Sequence, residues 1–310
     1  MFTLIAEQVI ENGGVVFGAG FNDDFTLKHS FIEVKEELFK FRGSKYIQSR
    51  IGNSYSQVKN FLKLGRRVLF TGTPCQIGGL KSYLGQSYDN LICVDIICHG
   101  VPSPKVWKKY VQFREERANS KPKRIAFRQK NEGWKRFSIS FLFKNNKEYN
   151  ETLDKDLYMQ AFLKDVCLRP SCYACEFKSL HRQSDITLAD FWGIQNILPE
   201  MDDDKGTSLV FVNSDKGQLM LDKLIDKIIC KEVNINQAVK YNSAAIKSAN
   251  YNIGREAFFN DINKLSFDVL VNKYCSEKIN ARIKNKIKSI GSSVLRRTGT
   301  LNIMKKILNR

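Results

Sequence analysis

Three cysteines stand close together in the middle of the sequence, with a spacing typical of a metal-binding loop. Cys167 and Cys172 are separated by four residues, and Cys172 and Cys175 by two. A C-x2-C turn directs both of its thiols inward, so all three can bind one ion or one inorganic cluster. A tetrahedral zinc ion or a cubane iron–sulfur cluster takes four ligands, so one must come from elsewhere. On spacing alone, zinc and iron–sulfur are equally favoured.

Two of the five other cysteines follow strand-like segments. Cys75 lies in the loop after the apolar segment Arg67–Phe70, and Cys98 ends the apolar segment Leu91–Cys98. A helical pattern separates the two segments, which predicts parallel strands joined by a right-handed crossover. Parallel neighbours end at the same edge of a sheet, where open α/β sheets bind ligands. We therefore predict Cys98 as the fourth ligand, with Cys75 as the alternative.

The patterns around these segments predict an α/β fold whose mixed sheet has a parallel strand–helix–strand core. An antiparallel hairpin is expected from Arg124–Arg128 and Phe137–Phe143, because large apolar residues alternate along the second segment. Beyond residue 213 the patterns are helical. The expected organisation is an α/β core over 1–213 and a helical C-terminal region over 214–310.

Composition limits the classes of protein that fit. The chain has 310 residues, 43% hydrophobic, and a net charge of +18. It has neither a signal peptide nor an apolar run near the ~20 residues that a membrane helix needs, which predicts a cytoplasmic protein with reduced or metal-bound thiols. The basic charge permits an acidic protein partner or peripheral membrane contact, especially through Ala281–Arg310, which lacks acidic residues. No nucleic-acid motif is visible, so nucleic acid is not an expected partner.

Five short motifs occur in an order that resembles one family. They are Gly43–Tyr46, Leu69–Gln76, Val94–Ser103, Cys167–Cys175 and Ser184–Gly193. With these motifs in this order, the sequence resembles the coenzyme F₄₂₀ hydrogenase/dehydrogenase beta-subunit family from about residue 2 to about residue 213. The resemblance is to the bacterial type associated with surface-polysaccharide genes.

The resemblance implies an iron–sulfur flavoprotein oxidoreductase. Members of the family bind a 4Fe–4S cluster and FAD, and they pass electrons between the cluster and a hydride carrier at the flavin. The expected electron donor is a ferredoxin or a ferredoxin-domain protein. The expected acceptor is a small organic molecule, either deazaflavin-like or a polysaccharide-pathway substrate. Bacterial relatives often carry an N-terminal ferredoxin-like segment, which this sequence lacks before Met1. We therefore expect either a late start of the reading frame or a separate electron-input protein.

The resemblance also implies where FAD and the acceptor bind. Three stretches carry the expected cofactor-binding residues, which are Ser44, Lys45 and Tyr46, then Thr71, Gly72, Thr73, Pro74 and Gln76, then Asp190 and Trp192. His99 follows a candidate ligand and is the expected catalytic proton relay. The competing hypothesis is a non-redox protein stabilised by zinc at the same cysteines and acting at a membrane surface.

Overall fold

The computed structural model describes residues 1–276 and builds them around two β-sheets. The basic segment Ala281–Arg310 lies outside the described residues. Within residues 1–276, no helix is both long and apolar enough to cross a membrane.

The first sheet has six strands in the order β2-β1-β3-β4-β8-β9. Their bounds are β1 Val15–Phe21, β2 Leu27–Ile32, β3 Val68–Gly72, β4 Leu91–Ile96, β8 Ile186–Asp190 and β9 Ser208–Val212. The four inner strands are parallel, and β2 and β9 pair antiparallel at the two edges. The predicted mixed sheet with a parallel core is confirmed, and β3 and β4 end side by side with Gly72 opposite Asp95.

Helices cover both faces of this sheet, which explains why its inner strands are almost continuously apolar. The helices are α1 Phe2–Glu11, α2 Ser54–Lys63, α3 Pro74–Leu84 and α7 Asp215–Asp222. One face packs against α1 and α7, and the other packs against α2 and α3. Alternate residues of β3 divide between the two cores, with Leu69 on the first face and Val68 and Phe70 on the second.

The second sheet is inserted between β4 and β8. It consists of β5 Pro122–Gln129, β6 Ser138–Phe143 and β7 Glu148–Thr152, all antiparallel, and it follows α4 Pro104–Ala118. The predicted alternation is confirmed, because Phe137, Ile139, Phe141 and Phe143 are all buried. The third strand, β7, is not predicted from the sequence because it is a short, mostly polar edge strand.

The C-terminal helices are shorter than the sequence pattern predicts. They are α8 Ile235–Val239, α9 Arg255–Asp261 and α10 Phe267–Cys275, with α5 Leu157–Leu163 and α6 Ile194–Ile197 before them. Asparagine and serine side chains cap and interrupt this region, as Asn234 does at the start of α8. Because α9 and α10 pack into the same core as the second sheet, they are part of its support. The division at residue 213 stays a prediction.

A buried hydrogen-bond chain fixes the loop after β3. His29 Nε2 donates to the carbonyl oxygen of Thr71 at 3.0 Å, so its Nδ1 accepts from the Ser49 hydroxyl at 2.8 Å. Ser49 in turn accepts from the side-chain amide of Gln76 at 2.9 Å. Burial lowers the pKa of His29 to about 4, which keeps the ring neutral. The loop position therefore depends on a neutral histidine in the core.

We expect this histidine to make stability depend on pH. Because the unfolded chain binds a proton near pH 6.5 and the folded chain only near pH 4, the free energy of unfolding should fall as pH drops through that window, by about 3 kcal/mol. Urea denaturation at several pH values measures the fall. His29→Gln should remove most of it relative to wild type, whereas His181→Gln, at an exposed histidine, should not. Equal pH dependence in wild type and His29→Gln would contradict the assignment.

Candidate cysteine-lined site

Four cysteines line one small cavity at the carboxyl edge of the parallel strands. They are Cys75, Cys98, Cys172 and Cys175, and the remaining lining residues are Pro74, His99, Gly100, Val101, Phe177, Lys178, Arg182 and Ala244. All four cysteines are free thiols. The cavity therefore brings together residues separated by about a hundred positions in the sequence.

Each cysteine is positioned by a different local structure. Cys75 is the second residue of α3, whose first turn is closed by a capping box between Thr73 and Gln76. Cys98 follows β4 by two residues. Cys172 ends a short 3₁₀ turn, and the backbone N–H of Cys175 donates to the Ser248 hydroxyl at 3.0 Å.

Backbone pairing holds the cysteine segment against the loop after β4. Pro102 and Leu168 form an antiparallel bridge, Arg169 N donates to Val101 O at 2.8 Å, and Ser103 N donates to Cys167 O at 2.9 Å. A side chain at Gly100 would meet Leu168 at 2.7 Å, so glycine permits this close approach. These contacts set the distance between Cys98 and the C-x2-C turn.

The structure does not bring Cys167 to the cavity. Its side chain is fully buried in the core of the second sheet, near Cys275 and Arg255. Burial raises the pKa of the Cys167 thiol well above its usual value. Cys75, which the sequence offers as an alternative, takes the fourth place in the lining instead.

Burial disfavours free thiolates in the cavity. It raises the pKa of Cys98 to about 12, an effect that Lys178 opposes and the thiolates of Cys75, Cys172 and Cys175 reinforce. Burial also raises the pKa of Cys172. Within residues 1–276, no three or more His, Cys, Asp or Glu side chains are arranged to hold a metal ion as they stand. A bound cationic group would stabilise the charged thiolates, so four soft sulfur donors around one cavity fit an iron–sulfur cluster.

His99 lies in the lining of the same cavity. Its Nε2 is 2.6 Å from Asp165 Oδ1, and its ring packs edge-on against Phe162 with 5.2 Å between centroids. Its side chain is 41% exposed, so a molecule bound at the surface can reach it. The structure therefore orients and exposes this ring, while its catalytic role stays a prediction.

Three of the expected cofactor-binding residues are joined by Arg128, which sequence analysis does not identify. Arg128 Nη1 donates to Tyr46 Oη at 3.1 Å and to Asp190 Oδ2 at 2.7 Å, and its guanidinium lies 5.9 Å from the Trp192 ring. Tyr46 stacks on Phe162 at 4.9 Å, the ring that His99 also contacts. A connected group of rings and charges thus runs from Trp192 to the cysteine cavity.

Arg128 is hidden from sequence reasoning because it occupies a strand that reads only as part of a hairpin. Its side chain is 11% exposed, and its buried Nη2 has no hydrogen-bond acceptor among residues 1–276. A buried arginine of this kind signals a functional site, but only the folded chain reveals its neighbours.

The other expected cofactor-binding residues divide into two sets. The side chains of Thr71 and Gln76 bond inside the protein, to Phe17 O and to the Thr73 backbone N–H, and Pro74 is buried. The Thr73 hydroxyl lies 3.1 Å from Cys75 Sγ. A side chain at Gly72 would meet Gln76 Oε1 at 2.9 Å. This loop is thus built around itself and around Cys75.

The second set lies in the loop before Tyr46. Ser44 is exposed, and Lys45 Nζ donates to the carbonyl oxygens of Arg42 and Gly43 at 3.0 and 3.2 Å. Burial lowers the pKa of Lys45 to about 8. Both side chains can reach a bound ligand with a modest change of rotamer.

The sheet and its cavity define an α/β protein with a cysteine-lined site at a strand edge. The family that comprises the C terminus of the coenzyme F₄₂₀ hydrogenase/dehydrogenase beta subunit matches residues 65–238, more than half of the chain. The chain belongs to this family, and the resemblance drawn from its motifs is confirmed. The matched residues include all four cysteines of the cavity.

One solved structure similar to this chain comes from the F₄₂₀-reducing NiFe hydrogenase complex of Methanosarcina barkeri, studied by xenon derivatization. The match has a TM-score of 0.49 and 16% sequence identity, and covers 90% of this chain and 87% of that chain. No curated protein matches the sequence.

The packing of α3 on the cysteine segment gives a direct test of the geometry. A Cβ at Gly78 would lie 2.5 and 2.9 Å from two ring atoms of Phe177, which follows Cys175 by two residues. We expect Gly78→Ala to lower the free energy of unfolding by about 1–3 kcal/mol, although alanine favours a helix, and to speed alkylation of the cavity thiols.

Denaturant titration and timed alkylation with mass spectrometry check this prediction. Ser82→Ala, on the exposed face of the same helix, is the control and should change stability by less than about 0.5 kcal/mol. A Gly78→Ala protein as stable as wild type, with unchanged alkylation, would show that Phe177 is not tightly packed.

Proposed function

We propose that the protein is an iron–sulfur flavoprotein oxidoreductase. Cys75, Cys98, Cys172 and Cys175 hold a 4Fe–4S cluster, which accepts and passes on single electrons, and FAD bound beside it converts them to hydride equivalents for a small organic acceptor. The observation that carries the proposal is the lining of one cavity by four free thiols. Membership of the beta-subunit family supports it independently.

The surroundings of the thiols suit a redox cluster. Hydrogen bonds near the sulfurs, burial and nearby charge are the means by which proteins tune iron–sulfur potentials. Here the Thr73 hydroxyl lies 3.1 Å from Cys75 Sγ, and Lys178 stands in the cavity wall. Burial excludes water from Cys98.

The flavin side of the proposal rests on family membership and on the group of residues around Arg128. Lys45 supplies a cation for a phosphate, and the Tyr46 and Trp192 rings supply aromatic surface next to Asp190. The buried Arg128 Nη2 is a donor that still needs an acceptor. His99, oriented by Asp165, holds or delivers a proton at the acceptor. The acceptor is a deazaflavin-like coenzyme or a polysaccharide-pathway substrate.

The partners and location follow from charge and thiol chemistry. With a net charge of +18, the protein suits an acidic ferredoxin or ferredoxin-domain donor and peripheral contact with an anionic membrane, with no role for nucleic acid. Eight free cysteines suit the reducing cytoplasm. Residues 1–213 form the catalytic α/β core, and residues 214–310 form a C-terminal unit that covers the cysteine segment through Ala244 and Ser248.

Single cysteine substitutions test the ligand set. In anaerobically purified protein, Cys→Ser at positions 75, 98, 172 or 175 should each remove at least half of the bound iron and sulfide, because a cubane loses one of four ligands. Cys167→Ser is the matched control within the same segment and should keep both at the wild-type level. Iron and sulfide analysis with visible spectra provides the measurement.

The same measurement separates the competing hypotheses. Iron loss in Cys167→Ser, with full iron in Cys75→Ser, would restore the ligand set predicted from the sequence. One zinc ion per chain, with neither iron nor flavin, would establish the zinc-stabilised protein and refute the redox proposal. Bound FAD released by denaturation would support the flavin half of the proposal separately.

The ferredoxin proposal predicts a dependence on salt. Because opposite charges steer the two proteins together, the rate of electron transfer from an acidic ferredoxin should fall roughly tenfold or more as ionic strength rises from low to physiological and above. Stopped-flow absorbance follows the transfer, and dithionite, a small reductant that needs no protein docking, is the control for the cluster itself. A rate that does not change with salt would exclude electrostatic docking.

A further inference from the structure

Lys178 is a cation in the wall of the cysteine-lined cavity, and no sequence motif assigns it a role. It follows Cys175 by three residues. We infer that Lys178 raises the reduction potential of the cluster held by the four cysteines, by placing a permanent positive charge beside it. This inference rests on the proposed function and names how that site is tuned.

The hydrogen bonds of Lys178 identify it as a charged ammonium. Its Nζ donates to three carbonyl oxygens, those of Cys98, of Ala244 at 2.8 Å and of His99 at 3.5 Å. An ammonium has three N–H donors and no acceptor, which matches three carbonyls, whereas a neutral amine would direct a lone pair at one of them. The contacts themselves therefore require the charge.

No carboxylate neutralises this charge within residues 1–276. The other two basic groups of the lining are each paired, because Arg182 Nη1 lies 3.7 Å from Asp95 Oδ2 and His99 Nε2 lies 2.6 Å from Asp165 Oδ1. Lys178 makes no such ion pair in the described part of the chain. The opposite charges that act on it are those of the thiolates of Cys98, Cys175 and Cys172.

A fixed cation at this point acts on the two redox states unequally. Reduction takes one electron from the donor protein and adds one negative charge to the thiolate-bound cluster, with no proton taken from Lys178. The interaction with a nearby positive charge is stronger in the more negative state, and stronger again in a cavity with little water. Lys178 therefore stabilises the reduced state more than the oxidised state.

Neutral and charge-conserving substitutions test the inference. An anaerobic redox titration followed by electron paramagnetic resonance gives the midpoint potential of each variant. We expect Lys178→Gln and Lys178→Met to weaken the reduction equilibrium roughly tenfold, a shift of ~59 mV to more negative values for one electron. Lys178→Arg keeps the charge and should stay near wild type. Lys240→Met removes an exposed lysine elsewhere on the surface and should not shift the potential.

Each result separates tuning from a purely structural role. A midpoint potential unchanged in Lys178→Gln, with full iron content, would overturn the inference. Loss of the cluster in both neutral variants, with normal loading in Lys178→Arg and an unshifted potential there, would assign Lys178 to assembly and also overturn it. Wild-type protein without iron would overturn the proposed function, and the inference with it, which distinguishes the two failures.

Discussion

Four thiols from three separate stretches of chain share one cavity only because two parallel strands end side by side. β3 and β4 deliver Cys75 and Cys98 to the same edge of the sheet. The backbone pairing of Pro102 with Leu168 then fixes the C-x2-C turn against that edge. If either constraint were lost, the cysteines would be ordinary buried or exposed residues. The second sheet and the C-terminal helices matter to the site mainly because they hold this pairing in place.

Charge balance is the second constraint on the site. A cavity that buries thiols disfavours their charged forms, so the wall must contain compensating groups. Within residues 1–276, Lys178 is a wall cation with no carboxylate partner, whereas Arg182 is neutralised by Asp95. A similar arrangement holds around Tyr46, where Arg128 is balanced by Asp190. Single, well-placed charges thus give the site its electrostatic character, while the large net charge of the chain acts at longer range.

The sequence predicts the architecture better than the site, for physical reasons. Apolar runs and their order define the parallel core, because β3 and β4 are buried on both faces and have a helix between them. The same signal is missing for the polar edge strand β7. Spacing favours Cys167 as a ligand because it precedes Cys172 by five residues, but the bridge at Leu168 directs it into the core. Arg128 and Lys178 carry no local signal, since their importance comes from partners far along the chain.

The central claim is that the four cavity thiols bind an iron–sulfur cluster. Mössbauer spectroscopy of protein produced with isotopically enriched iron and purified without oxygen tests it most directly, because the spectrum reports the number, valence and ligands of the iron atoms together. The account predicts one population of thiolate-bound, valence-delocalised iron typical of a 4Fe–4S cluster. The absence of protein-bound iron, or a spectrum of isolated mononuclear sites, would contradict it.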